Sequence, residues 1–201
     1  MTPIRLDVWS DFVCPWCFLV SSSLDELQRT FEIDLHWHSF ELRPPGSPPM
    51  PPEDRQRIDA SRPRMEQMAQ EVYNVEIKRP PLGVNSRLAL IGMKFAEDQG
   101  KGAAYHDAVF RAYWQGERDI GDRAILLEIA ELVGLDPAAY AAALDDPAWE
   151  EAMEMDVQQA HAIGISGVPA LIFEQKYLVS GAQPYDALVN VVEQVKQRIG
   201  T

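Results

Sequence analysis

Cys14 and Cys17 are the only cysteines in this 201-residue chain, and they enclose Pro15 and Trp16. At a helix start, that spacing sets the second thiol one turn along from the first, close enough to close a small disulfide ring. The run Ile4-Arg5-Leu6-Asp7-Val8-Trp9 precedes the pair, and Val20, Leu24, Leu27 and Phe31 follow it on one face of a helix. A thiol delivered by a strand to a helix N-terminus meets unpaired backbone N–H groups and the positive end of the helix dipole, which favour a thiolate. Pro15 suits the first helical position, because it lacks an N–H and its φ is already helical. The pair therefore reads as a redox dithiol. Half of a zinc site is the competing reading, with His36, His38, His106, His161 and carboxylates as the remaining candidate ligands. His36 and His38 flank Trp37 as ordinary strand residues would, and His161 falls near a helix end, where it suits the dipole.

The elements that must position the thiols follow from periodicity. Residues 3–9 read as a buried strand, Asp11-Phe12-Val13 as the turn delivering Cys14, and 15–31 as the first helix. Ile33, Leu35 and Trp37 alternate as in a second strand running to Leu42, which makes a β-α-β unit with a right-handed crossover. The run Pro44-Pro45-Gly46-Ser47-Pro48-Pro49-Met50-Pro51-Pro52 can be neither helix nor inner strand and reads as an extended spacer. Helical patterns then fill about 53–73, 85–99, 103–116, 121–134 and 137–146, with Asn85-Ser86 and Asp122 as caps. Ala148 to Ile163 reads as another helix. A loop through Gly167-Val168-Pro169 leads to a hairpin, Ala170–Phe173 with Tyr177–Ser180, and to a last helix whose apolar side is Leu188, Val191, Val192, Val195 and Ile199.

The expected architecture is α/β: a four- to five-stranded mixed β-sheet flanked by helices, with an inserted all-helical block. The expected division is residues 1–43 and 148–201 as a discontinuous domain and 44–147 as the inserted helical domain. A hydrophobic fraction of 46% is ample for a core. The net charge of −13 opposes nucleic acid and anionic membrane as partners. No stretch reaches the roughly 18 apolar residues of a membrane span, and no basic-then-apolar leader opens the sequence. A cytoplasmic location is expected, and a cysteine pair three apart in a reducing compartment is catalytic or metal-binding more often than structural.

Asp11-Phe12-Val13-Cys14-Pro15-Trp16-Cys17, Phe40-Glu41-Leu42-Arg43-Pro44, Phe110-Arg111-Ala112-Tyr113 with Asp119-Ile120-Gly121-Asp122, and Gly164-Ile165-Ser166-Gly167-Val168-Pro169 with Val179-Ser180-Gly181-Ala182-Gln183 together resemble the DsbA-like thioredoxin family, and within it the cytoplasmic FrnE-like branch. The resemblance covers nearly the whole chain and implies a thioredoxin fold. It implies that Cys14 is the nucleophile, Cys17 the resolving thiol, and Pro169 a cis-proline lying against the disulfide. It further implies that Val168 offers backbone to an extended substrate and that Pro15 and Trp16 tune the couple. DsbA itself typically has histidine where this chain has Trp16, so the strength of the oxidant stays open. Phe12 and Trp16 are expected at an apolar substrate surface.

The expected activity is thiol–disulfide exchange on protein or small-molecule disulfides, with no bound metal or organic cofactor and with glutathione as a candidate co-substrate. Asn85 and Ser86 are candidates for a glutathione contact. Two rivals stand beside this reading. The kappa-class glutathione transferases and 2-hydroxychromene-2-carboxylate isomerases share the inserted helical block but usually place a serine at the nucleophile position. A non-enzymatic binding protein would use the pair for zinc or as a stabilising disulfide. Oligomeric state is open.

Overall fold

The computed structural model describes residues 3–200. Strand β1 (Ile4–Ser10) is central, and its residues alternate between two environments. Ile4, Leu6 and Val8 join a core with Leu171 and Phe173, with Val20, Leu24 and Leu27 of helix α1 (Pro15–Thr30), and with Leu188, Val192 and Val195 of the last helix. Trp9 instead joins Phe40, Ala160, Ile165 and Ala170. This is the period-2 pattern of a strand buried on both faces.

Strand β2 (Ile33–Ser39) pairs parallel to β1, with Ile4 opposite Ile33 and Ser10 opposite Ser39. Strand β3 (Ala170–Phe173) pairs antiparallel to the other side of β1, and β4 (Tyr177–Ser180) pairs antiparallel to β3. The sheet has four strands in the order β2-β1-β3-β4. β2 ends at Ser39, three residues short of the expected Leu42, because the backbone there turns to other partners. Phe40 N–H donates to Ser10 O at 2.9 Å, and Leu42 N–H donates to the Asp11 carboxylate at 2.8 Å. The β3–β4 hairpin turns through Glu174, Gln175 and Lys176; Glu174 and Gln175 have positive φ (52° and 54°), and Lys176 N–H donates to Phe173 O at 3.0 Å.

Between β2 and β3 the described elements are all helical: α2 (Pro52–Tyr73), α3 (Arg87–Asp98), α4 (Gly102–Trp114), α5 (Arg123–Leu132), α6 (Pro137–Ala143) and α7 (Pro147–Ala162). Helix α8 (Tyr185–Ile199) closes the chain and packs on α1. Asp122, Asp136 and Asp146 cap α5, α6 and α7 through their carboxylates, each accepting a backbone N–H of the first turn. Ser86 does not cap α3 with its side chain; Asn85 Oδ1 accepts the Arg87 N–H at 2.8 Å instead. In α3, a side chain at Gly92 would meet the Tyr140 hydroxyl at 2.1 Å, so only glycine admits that contact. One core runs from Phe12, Cys17 and Phe18 into α3, α4 and α5 through Met93, Phe110 and Leu126, so these helices are packed directly onto the segment that carries the cysteines.

Candidate active site

Cys14 is the N-cap of α1, with extended backbone (φ −87°, ψ 116°), and Pro15 occupies the first helical turn. The turn before it is held from inside. Cys14 N–H donates to Asp11 O at 3.0 Å, and Val13 N–H donates to Asp11 Oδ1 at 3.2 Å. Trp114 Nε1–H from α4 donates to Phe12 O at 2.9 Å. Asp11 is fully buried, and burial pushes its carboxyl up, opposed by Ser86 and by the N–H groups of Leu42, Val13 and Phe12. The Asp11 side chain thus ties together the cysteine loop, the segment after β2 and the start of α3. Sequence reading took Asp11 only as part of a turn; a carboxylate three residues before the cysteine was the available signal.

Both cysteines are free thiols. They are placed unequally. Cys14 is 4% exposed at the surface of a groove, whereas Cys17 is completely buried. Burial pushes the Cys17 thiol well up, and the neighbouring Cys14 raises it further, opposed by the Asp11 backbone and the Ser10 hydroxyl. Cys17 therefore stays protonated at rest, and the sulfur that reaches the groove is Cys14. Cys14 Sγ lies 3.6 Å from Val168 O, in the loop that precedes β3. The Val168–Pro169 peptide bond is cis, and Gly181 N–H donates to Pro169 O at 2.9 Å. Segments from opposite ends of the chain thus meet at the sulfur.

The groove has a volume of about 540 Å³. Cys14, Pro15, Trp16, Gly167 and Val168 form one side, while Met65, Ile77, Leu82, Val84 and Trp114 belong to the opposing helical segment. Arg43, Arg62 and Lys78 supply positive charge and Glu66 negative charge. Trp16 is 38% exposed and stands in the groove. Phe12 does not. It is 2% exposed and packs against Tyr105, His106 and Phe110, because the turn that lifts Cys14 out sends the Phe12 ring inward. Asn85 and Ser86 lie outside the groove lining, and Ser86 is buried.

The histidines are dispersed. His36 pairs with Asp34 at 2.8 Å on the surface, and the His161 ring meets Phe40 edge-on. His38 lies between Asp7 (Nε2, 2.9 Å) and Asp156 (Nδ1, 3.1 Å), and Lys94 reaches the same Asp156 at 2.6 Å. Burial works to lower His38, but the hydrogen bonds to Asp156 and Asp7 outweigh it and hold it above its ordinary value. His38, Lys94 and Asp156, with Glu97, His36, His106 and Asp107, line a second cavity of about 480 Å³. Among the described residues, no group of three or more histidine, cysteine or acidic side chains is arranged to hold a metal ion. No described helix is long and apolar enough to cross a membrane.

The model of the DSBA-like thioredoxin domain matches residues 5–193. The uncharacterized protein YwbO of Bacillus subtilis (strain 168) is 30% identical over 199 residues, covering 97% of this chain and 98% of that protein. A probable DsbA oxidoreductase, SCO1869 of Streptomyces coelicolor, superposes with a TM-score of 0.76 at 26% identity, over 95% of this chain and 89% of that one. The same fold occurs in a 2-hydroxychromene-2-carboxylate isomerase (TM-score 0.82, 18% identity, 98% of both chains). It also occurs in the cytosolic disulfide reductase DsbM of Pseudomonas aeruginosa with GSH (TM-score 0.70, 20% identity, 96% of this chain and 99% of that one). With a model matched over almost its whole length, this chain belongs to the DsbA-like thioredoxin domain family.

Proposed function

We propose that this protein is a thiol–disulfide oxidoreductase in which Cys14 attacks and Cys17 resolves. The observation that carries the reading is the inequality of the two sulfurs: Cys14 in an apolar groove beside Val168 O, Cys17 buried one turn behind it. The Cys14 thiolate attacks one sulfur of a substrate disulfide, and the substrate's other sulfur leaves as a thiolate. Cys17, once deprotonated, attacks Cys14 Sγ, forms the Cys14–Cys17 disulfide and releases the second substrate thiolate. The dithiol gives up two electrons and the substrate takes them; the reverse sequence oxidises a substrate dithiol. Pro15 and Trp16 set the approach to Cys14, and the backbone of Val168 beside Pro169 offers an extended chain sequence-independent pairing.

A FrnE-like enzyme of a reducing compartment is the form this takes, supported by the use of only two cysteines, both in the motif. Residues 44–147 act as the inserted unit that supplies the second wall of the groove. Glutathione is the proposed small-molecule partner, its carboxylates facing Arg43, Arg62 and Lys78.

The test is turnover of a disulfide peptide with mass spectrometry of trapped adducts. Wild type should turn over, Cys17→Ser should accumulate substrate joined to Cys14, and Cys14→Ser should do neither. Full turnover by Cys17→Ser without an adduct would favour glutathione-linked transferase or isomerase chemistry instead. Stoichiometric zinc lost on alkylation would favour a binding protein.

A further inference from the structure

The buried side of Cys17 holds groups that thiol exchange at the groove does not use. Ser10 and Ser39 are partners across the ends of the parallel strands β1 and β2, and both are buried. Ser10 Oγ, Ser39 Oγ and His106 Nε2 are each inaccessible and without a full hydrogen-bond partner among the described residues. Buried polar atoms are rarely left so. All three residues line one cavity of about 10 Å³, which Phe12, Trp37, Leu90 and Met93 enclose with apolar side chains and which His38, its ring nitrogens already paired with Asp7 and Asp156, also borders. That volume is about the smallest that admits a single water, and a buried water typically makes about three hydrogen bonds.

Two further observations give the cavity a direction. On one side, the Ser10 hydroxyl lies beside Cys17, where it favours the thiolate; in this reduced form the contact falls short of a full hydrogen bond. On the other, His106 also lines the 480 Å³ cavity, together with His38, Lys94, Glu97 and Asp156. The His106 ring is held in place by Trp37, stacked at 3.7 Å, and by Phe110, edge-on at 4.6 Å. Burial lowers it to about 3, so the imidazole stays neutral and can pass a proton without storing one.

We propose that one ordered water bridges Ser10, Ser39 and His106, and that Ser10, this water and His106 form a proton relay from the Cys17 thiol to the second cavity. The relay rests on the dithiol reading and supplies what that reading lacks. When substrate is joined to Cys14 it fills the groove, and Cys17 has no exposed surface through which to lose its proton. The Cys17 S–H proton passes to Ser10 Oγ as the Ser10 proton passes to the water. The water passes a proton to His106 Nε2, and the ring releases one from its other nitrogen into the second cavity. The Cys17 thiolate then attacks Cys14 Sγ, the substrate–Cys14 bond breaks, and its electron pair leaves on the substrate thiolate, which solvent protonates. Ser10 and His106 are positioning residues in this scheme, since neither touches the substrate.

An aromatic disulfide that releases a coloured thiol separates the two steps. The first equivalent reports attack by Cys14, and the second reports resolution by Cys17. Ser10→Ala should slow the second phase relative to the first by about tenfold, the worth of one hydrogen bond to a charged group. Ser10→Thr should restore it, and His106→Phe should slow it similarly. The solvent deuterium isotope effect on the second phase should change in both slowed variants. Should His106→Phe fail to fold, Ser39→Ala removes a partner of the water and must show the same slowing. A second phase unchanged in rate and isotope effect overturns the relay alone, whereas the absence of any second phase in wild type overturns the dithiol reading and the relay with it. A high-resolution crystal structure should show a water bonded to Ser10, Ser39 and His106, and an empty cavity there would also overturn the relay.

Discussion

The groove at Cys14 and the cavity at His38 are close in size, about 540 and 480 Å³, but opposite in chemistry. The groove presents Met65, Ile77, Leu82, Val84 and Trp16, apolar surface that gains by being covered. In the cavity, the buried charges at its centre are matched to one another: His38 with Asp7 and Asp156, Lys94 with Asp156 and Glu97. One surface is therefore largely apolar, and the other is built around charges paired within the fold. Size does not separate a binding surface from a structural one; the state of the polar groups does.

Breaking the wall between the two regions should have the largest effect. Phe110 is 1% exposed and touches Phe12, Phe18 and the His106 ring, so Phe110→Ala should cost about 3–5 kcal/mol in denaturant unfolding. A loss below 1 kcal/mol would show that groove and cavity do not share a core. Next comes the paired cluster. His38→Ala leaves Asp7 and Asp156 short of a cation and should cost about 3 kcal/mol, read as a lowered urea midpoint with the slope unchanged. Its pH dependence has a definite sign. His38 is raised in the fold, so its contribution is complete below its ordinary 6.5 and lost as pH climbs through the raised value. For Asp7 and Asp156, burial works upward, but Arg5 and His38 outweigh it at Asp7, as His38 and Lys94 do at Asp156, and both fall below their ordinary 3.8. Their contribution is present above that value and lost as pH falls through the depressed ones. The stability gap between wild type and His38→Ala should thus be widest in mildly acidic solution and narrow at alkaline pH; a gap that widened with alkali would contradict the pairing. Smallest in the fold is Trp16→Ala, at most about 0.5 kcal/mol of stability. The same substitution should weaken a bound disulfide peptide by about tenfold through lost apolar contact, measurable as a dissociation constant in a Cys14→Ser background, where no adduct forms. Unaltered affinity would remove Trp16 from the proposed groove surface.

The comparison also explains what could be read from the sequence. β1, β3, β4 and α1 were legible, because alternation and helical spacing are local signals, and the two cysteines stood out by their position between a strand and a helix. β2 was drawn three residues too long: nothing local reveals that Leu42 N–H leaves the sheet for Asp11, 31 residues earlier. Phe12 was assigned to the substrate surface because apolar residues beside a motif look available, yet turn geometry decides which way such a ring faces. His38 read as an ordinary strand residue since its partner Asp156 lies 118 positions away. The groove's charged residues come from α2 and from the segments around residues 43 and 78, so only the folded chain assembles them.

The proline-rich run after β2 reads in sequence as a spacer, and in the fold it reaches the groove through Met50. Prolines fix φ at six of the nine positions 44–52, so this segment would have little freedom left to surrender to a bound substrate. Met50 is its compliant part, an unbranched thioether able to mould itself to unlike side chains. Under the proposed function, a stiff frame carrying a soft tip would let one groove accept disulfides of differing sequence at low entropic cost.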